Sequence, residues 1–215
     1  MEIRSERLLL RVWRRGDEAA LVRHGNNHAV WRNLTDRFPH PYTRKEAVTW
    51  IRRVKEQGRP PQSFAIVFQD EPVGGVGFER MQDLNRLTAE FGYWISEAYW
   101  GRGFATEAAC AATAYAFAQF DFERLQASVL EWNEPSRRVL EKAGFTLEGR
   151  LRKNCVKEGR VADSWIYGLL RHEVMARSPA QLEKAGPASS SLGSHSPPAQ
   201  TRAVEPASRK LRSDR

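Results

Sequence analysis

Cysteine is scarce in this chain. Cys110 and Cys155 are the two in 215 residues, and thiols so far apart supply neither a disulfide framework nor a metal-ligand spacing. A reducing, cytoplasmic setting is the expectation. No apolar run approaches the ~20 residues that cross a bilayer. Met1-Glu2-Ile3-Arg4 leads into no hydrophobic signal segment, so no membrane partner is expected. Histidine is thin as well. His24, His28, His40, His172 and His195 form no i, i+4 pair with a carboxylate, and with Gly25-Asn26-Asn27 between them His24 and His28 fit a helix end or loop better than a metal pair. Finally, residues 178–215 hold no Trp, Phe, Tyr, Ile or Met, are rich in Ser, Ala and Pro, and carry six basic side chains against three acidic ones. Such a segment has too little apolar surface to offset the entropy of ordering. The expected organisation is a folded domain, 1–177, followed by a disordered, basic Ser/Ala/Pro-rich tail, 178–215.

What remains is ordinary globular material: 41% hydrophobic residues and all seven tryptophans before the tail, enough for one sizeable core. The formal net charge of +8 favours polyanions such as a nucleotide's phosphates, a ribosome or nucleic acid, or marks a solvated arginine-rich surface. The pattern predicts strands at Arg7–Trp13, Ser63–Phe68, Val73–Met81, Thr88–Ile95, Arg124–Leu130, Phe145–Arg152 and Val161–Leu170. It predicts helices over Asp17–Asn26, from the Thr43-Arg44-Lys45-Glu46 capping box to Gly58, over Ala105–Ala118, and over Glu134–Ala143 with Asn133 and Gly144 as caps. Strands interleaved with helices imply one α/β domain with a mixed sheet.

The stretch Tyr99-Trp100-Gly101-Arg102-Gly103-Phe104-Ala105-Thr106 carries the most chemistry. A strand, a glycine turn and a helix start in this order point several unpaired N–H groups, and the positive end of a helix, at one small volume suited to a phosphate. A nucleotide P-loop is excluded because no lysine follows Gly103, and a dinucleotide fingerprint because Thr106 stands where a third glycine belongs.

Together with Ser5-Glu6-Arg7-Leu8-Leu9-Leu10-Arg11 and the downstream Asn133-Glu134-Pro135-Ser136-Arg137-Arg138-Val139-Leu140-Glu141-Lys142-Ala143-Gly144-Phe145, this stretch resembles the GNAT superfamily of acetyl-coenzyme A-dependent N-acetyltransferases. The resemblance runs from about Arg4 to His172. It is strongest to the branch of ribosomal-protein alanine N-acetyltransferases (the RimJ/RimL type) and spermidine acetyltransferases. It implies a mixed, mostly antiparallel sheet split into a V and flanked by helices. It also implies acetyl-CoA as co-substrate, with no metal, and an amine acceptor: a protein N-terminus, as on a ribosome, or a small amine such as a polyamine or an antibiotic.

By the same resemblance, backbone N–H groups of Gly101, Arg102, Gly103, Phe104, Ala105 and Thr106 hold the pyrophosphate. Trp94, Ile95 and Ser96 pair with the pantetheine arm, with the Ile95 N–H as oxyanion donor, and Asn133 touches that arm while capping its helix. Trp100 stands where the family usually has Gln or Arg. Glu90 is the candidate base, with a cross-strand ion pair as the plainer alternative, and Glu79 is held in reserve. Ser136 is the candidate acid, because Leu140 occupies the place of the tyrosine many members use; a simple first-turn helix position is its alternative. Cys110 fits a small core residue, and Cys155 an exposed thiol that Lys153 and Lys157 could acidify. Trp31, Arg32 and Phe38-Pro39-His40-Pro41-Tyr42 mark the acceptor side. The rival reading, from a different class, is a non-catalytic acyl-CoA-binding module.

Overall fold

The computed structural model describes residues 1–176; the tail expected at 178–215 lies outside the described residues. The strands are β1 (Glu2–Arg4), β2 (Leu9–Arg11), β3 (Ser63–Phe68), β4 (Glu71–Arg80), β5 (Thr88–Ile95), β6 (Arg124–Leu130), β7 (Thr146–Lys157) and β8 (Arg160–Leu170). The helices are α1 (Glu18–Gly25), α2 (His28–Trp31), α3 (Arg44–Glu56), α4 (Phe104–Gln119), α5 (Glu134–Ala143) and α6 (Arg171–Met175). The eight strands form one sheet in the order β1-β2-β3-β4-β5-β6-β8-β7. Every neighbouring pair is antiparallel except β5 and β6.

That one parallel pair splits the sheet. β5 meets β6 only at Thr88–Glu90 against Arg124–Gln126, while β4 follows β5 as far as Ile95 and β8 follows β6 as far as Leu130. Past Glu90 the two half-sheets diverge, leaving one edge of β5 without a partner. On one face α4 lies against β4, β5 and α5, and Ala108, Ala109, Ala111, Ala112 and Ala116 are almost wholly buried there. A helix buried all round is apolar all round. On the other face α1 and α3 cover a second core of Trp13, Leu21, Tyr42, Ala47, Ile51, Val54, Ala65 and Val67.

Several boundaries differ from expectation for physical reasons. The strand expected at Arg7–Trp13 shrinks to Leu9–Arg11, because Arg7 turns away to clamp Glu107. Its partner β1 is an unforeseen three-residue strand. β4 starts at Glu71, not Val73: Gln69 and Asp70 both take positive φ (49° and 65°), a two-residue hairpin turn whose twist suits the flanking strands. The Thr43 hydroxyl bonds the Glu46 carboxylate instead of the helix backbone, so the expected capping box does not form. α3 stops at Glu56, just short of Gly58. At the base of α1 a buried two-pronged pair joins Arg11 to Asp17 (2.7 and 2.8 Å), fixing that helix to β2.

Candidate active site

A continuous cleft of about 1500 Å³ runs along the divergence of β5 from β6. Its wall includes Glu90, Trp94, Ile95, Gly101, Gly103, Phe104, Ala105, Thr106, Asn133 and Ser136. Of the residues expected at the site, Ser96 and Arg102 do not line it. The Ser96 N–H donates to the Val73 carbonyl (2.8 Å) and its hydroxyl meets His24 Nδ1 (2.9 Å), which ties α1 to the end of β5. Arg102 lies exposed, its guanidinium 5.2 Å from the Tyr99 ring centre.

Hydrogen-bond alternation decides which β5 amides face the cleft. Met81 N–H donates to Thr88 O and Ser96 N–H to Val73 O. In an antiparallel pair this commits the even residues of β5 to β4 and turns the N–H and C=O of Phe91, Tyr93 and Ile95 toward the open edge. The backbone of Trp94, expected to join Ile95 and Ser96 as a cofactor contact, thus points at β4; its indole is the part that reaches the cleft. The Ile95 carbonyl is taken by the Trp100 indole N–H (2.8 Å), leaving the Ile95 and Tyr93 N–H groups facing the gap.

The cleft continues to the start of α4. Gly101 and Gly103 have φ of 75° and 79°, a backbone state that L side chains rarely adopt. A methyl on Gly101 would meet nothing within 4 Å; the turn's shape, more than crowding, calls for glycine. Glu107 N–H is the first in α4 to find a helical partner, the Gly103 carbonyl, so the N–H groups of Phe104, Ala105 and Thr106 have no intrahelical acceptor. Glu107 accepts hydrogen bonds from the Arg7 N–H (2.7 Å), the Ser5 hydroxyl (2.7 Å) and Arg7 Nε (2.8 Å), and Arg7 also donates to the Arg102 carbonyl (2.9 Å). Burial pushes the Glu107 carboxyl up, but these hydrogen bonds outweigh it and hold it below the usual carboxylate value. Here the opening Ser5-Glu6-Arg7 segment braces the glycine turn, a role the residue pattern alone did not reveal.

Glu90 sits half-buried at the apex, beside its last β6 partner Gln126 (3.5 Å). Burial pushes its carboxyl up, against the lowering effects of Gln126 and the charges of Arg37 and Arg124. Glu79 lies directly across the strand pair and is engaged by Arg37 (2.7 Å).

On the far wall Asn133 caps α5, its side chain accepting from the Ser136 N–H (3.3 Å). The Ser136 hydroxyl is 2.8 Å from the Tyr93 hydroxyl. Tyr93 is a functional candidate that no motif in the sequence singles out. Burial raises its phenol well above the ordinary value, partly offset by Ser136, so it stays protonated and able to donate. Leu140, in the place of the usual tyrosine, is buried core. Tyr93 brings a phenol to the same wall from the strand instead of the helix.

The Cys155 expectation changes too. Burial, then Glu131 and Asp163, push that thiol up, opposite to the acidification weighed from Lys153 and Lys157. Of the acceptor-side residues, Arg32, Phe38, Pro39 and Tyr42 line the cleft. Trp31 and His40 stack on each other (5.1 Å), and Lys157, at the tip of the β7–β8 hairpin, lies over Trp31 (3.6 Å) and pairs with Asp36 (2.8 Å).

An α/β domain with a strand-edge gap, free amides at a helix start and buried proton-transfer candidates is the framework of an acyl-transfer enzyme. Comparison with known proteins agrees. Residues 7–146 match the family described as "Acetyltransferase (GNAT) domain". The chain is 31% identical over 172 residues to the Bacillus licheniformis "Uncharacterized N-acetyltransferase p20", covering 79% of this chain and 96% of that one. It is 33% identical over 90 residues to the Escherichia coli "Ribosomal-protein-serine acetyltransferase", covering 42% and 50% respectively. Mycobacterium smegmatis RimJ, solved in complex with a CoA disulfide, superimposes with a TM-score of 0.73 at 24% identity, over 86% of this chain and 93% of that one. The protein is a member of the GNAT acetyltransferase family, with that family's single-domain fold.

Proposed function

We propose that this enzyme transfers the acetyl group of acetyl-CoA to a primary amine by direct attack on the thioester. The acceptor we infer is a protein N-terminus, as on a ribosomal protein, which goes with a cytoplasmic setting. The observation that carries this reading is the row of free amides at the start of α4, continuous with the Tyr93 and Ile95 N–H groups along the open edge of β5. The first group suits a diphosphate at a helix start; the second suits a carbonyl oxygen that gains charge during attack. The ribosomal-protein acetyltransferase and the CoA-bound RimJ among the relatives favour the same donor and acceptor.

Each remaining task falls to a named group. The backbone of the 101–106 turn holds the diphosphate, with Asn133 beside the pantetheine path. Glu90 takes the proton from the ammonium, directly or through a bridging water, and burial, which strengthens its hold on a proton, suits that role. As the C–S bond breaks, the Tyr93–Ser136 pair hydrogen-bonds the departing sulfur, and the second proton lost by the acylated nitrogen passes through the pair to the thiolate, leaving both hydroxyls protonated. With Leu140 in the tyrosine position, a phenol on this wall supports the catalytic reading over a non-catalytic acyl-CoA-binding module. Gly103→Glu tests the donor site: it forces a side chain onto a backbone at φ 79° and sets a carboxylate at a helix start. Calorimetry with CoA should show binding lost. Unchanged affinity would contradict the reading.

A further inference from the structure

The face of the sheet opposite α4 carries a feature that neither donor binding nor proton transfer uses. Side chains alternate along β5, so Phe91, Tyr93 and Ile95 join the α4-side core while Glu90, Gly92 and Trp94 face α1 and α3. A methyl placed on Gly92 would meet nothing within 4 Å. The space above it is bounded along the strand by the Glu90 carboxylate two residues before and the Trp94 indole two residues after. Across the sheet the register sets Gly77 beside Gly92, Glu79 beside Glu90 and Gly75 beside Trp94. Gly77 ends the slot, since a methyl there would stand 2.7 Å from the Gln62 carbonyl oxygen. Gly75 is covered by the Trp94 ring, 2.8 Å from such a methyl. The Phe38 ring holds that indole edge-on at 5.5 Å. The result is a shallow slot in the cleft wall over the exposed Gly92, with the Glu90 carboxylate on one side, next to the Arg37–Glu79 ion pair, and the Trp94 ring on the other.

Gly92 does not owe its identity to the backbone: its φ lies outside the left-handed region and its Cβ direction is open. Glycine in a strand is otherwise unfavourable and marks close approach of something else. We infer that Gly92 is a specificity-determining residue, its missing side chain limiting the acceptor to a primary ammonium whose neighbouring substituent is slim. This rests on the proposed acetyl transfer and adds what limits the amine. A cation is drawn by the Glu90 carboxylate, Glu79 being already paired with Arg37; the atoms beside the nitrogen pass over Gly92 against the Trp94 face, an arrangement that also favours cations.

The test uses the full-length protein with Gly92→Ala and Gly92→Val, both compatible with a strand and valine intrinsically better there. Melting temperature and CoA affinity by calorimetry are measured beside kcat/KM for short peptides beginning with glycine, alanine or leucine. The expectation is unchanged CoA affinity, with kcat/KM falling about 10- to 200-fold in Gly92→Val, in the range one or two methylenes impose in a fitted pocket. Gly92→Ala should discriminate further against the bulkier peptides, and it keeps the test alive if the valine variant folds poorly. If the parent enzyme acetylates these peptides and both variants match it on every one, this role of Gly92 is overturned while the proposed function stands. If the parent acetylates none of them, the proposed function falls and takes that role with it.

Discussion

The two sides of the cleft are built from different materials. The α4 side is made of backbone: glycines at positive φ, helix-start amides and the odd-numbered amides of β5. The α1/α3 side is made of side chains: Glu90, Glu79, Trp94, Phe38, Tyr42, and the empty place of Gly92. A backbone-built half needs only glycine where the chain must turn, so the side chains of the 101–106 turn can be exchanged, while Tyr93, Ser136 and the Glu107 brace cannot. A side-chain-built half changes with every residue.

Five substitutions would sharpen or break the contrast. The largest effect is expected from Glu90→Gln, which should lower kcat/KM by about 10²- to 10⁴-fold with CoA affinity kept. The parent enzyme's activity should rise with pH through the raised Glu90 value, because a base works only once deprotonated, and the variant should lose that limb. Comparable pH profiles would remove Glu90 from the chemistry.

Next, Glu107→Gln should cost about 1.5–3 kcal/mol of stability, the range for hydrogen bonds to a charged group, and weaken CoA binding by loosening the glycine turn. Glu107 holds its proton less tightly when folded than when unfolded. Its contribution is therefore complete above the ordinary glutamate value of about 4.3 and drains away as pH falls through the lower folded value; the variant's urea midpoint should lack that fall. Third, Tyr93→Phe and Ser136→Ala should each slow turnover by about 1 kcal/mol, roughly fivefold, and the double variant should lose less than the sum. Additive losses would mean the two hydroxyls act apart. The smallest effect is expected from Arg102→Ala, within about 0.5 kcal/mol of parental CoA affinity by calorimetry, as for an exposed charge. A tenfold loss there would break the claim that backbone dominates this half.

Legibility in the sequence followed the same division. β3, β5, β6 and α5 run over the residues expected, because alternation and caps are local signals. Gly101 and Gly103 announced a turn before a helix, and the geometry adds why: positive φ, more than close approach. What escaped reading depends on partners distant in sequence. β1 exists only by pairing with β2, and Arg7 leaves its strand for a carboxylate 100 residues away. Tyr93 meets Ser136 across the gap, a pairing that no spacing rule encodes. The slot over Gly92 needs the β4–β5 register before its emptiness can be noticed.

The Lys157 contact with Asp36 and Trp31 joins the outer half-sheet to the α2 region, while the three register pairs at Thr88–Glu90 join the halves at the other end. The opening is thus bounded at both ends, a window and not merely a notch. An acyl donor on the α4 face and an amine over Gly92 would occupy opposite sides of that window and touch only through it, neither blocking the other's route in or out. Steady-state kinetics should then follow a ternary-complex pattern, with double-reciprocal lines that intersect.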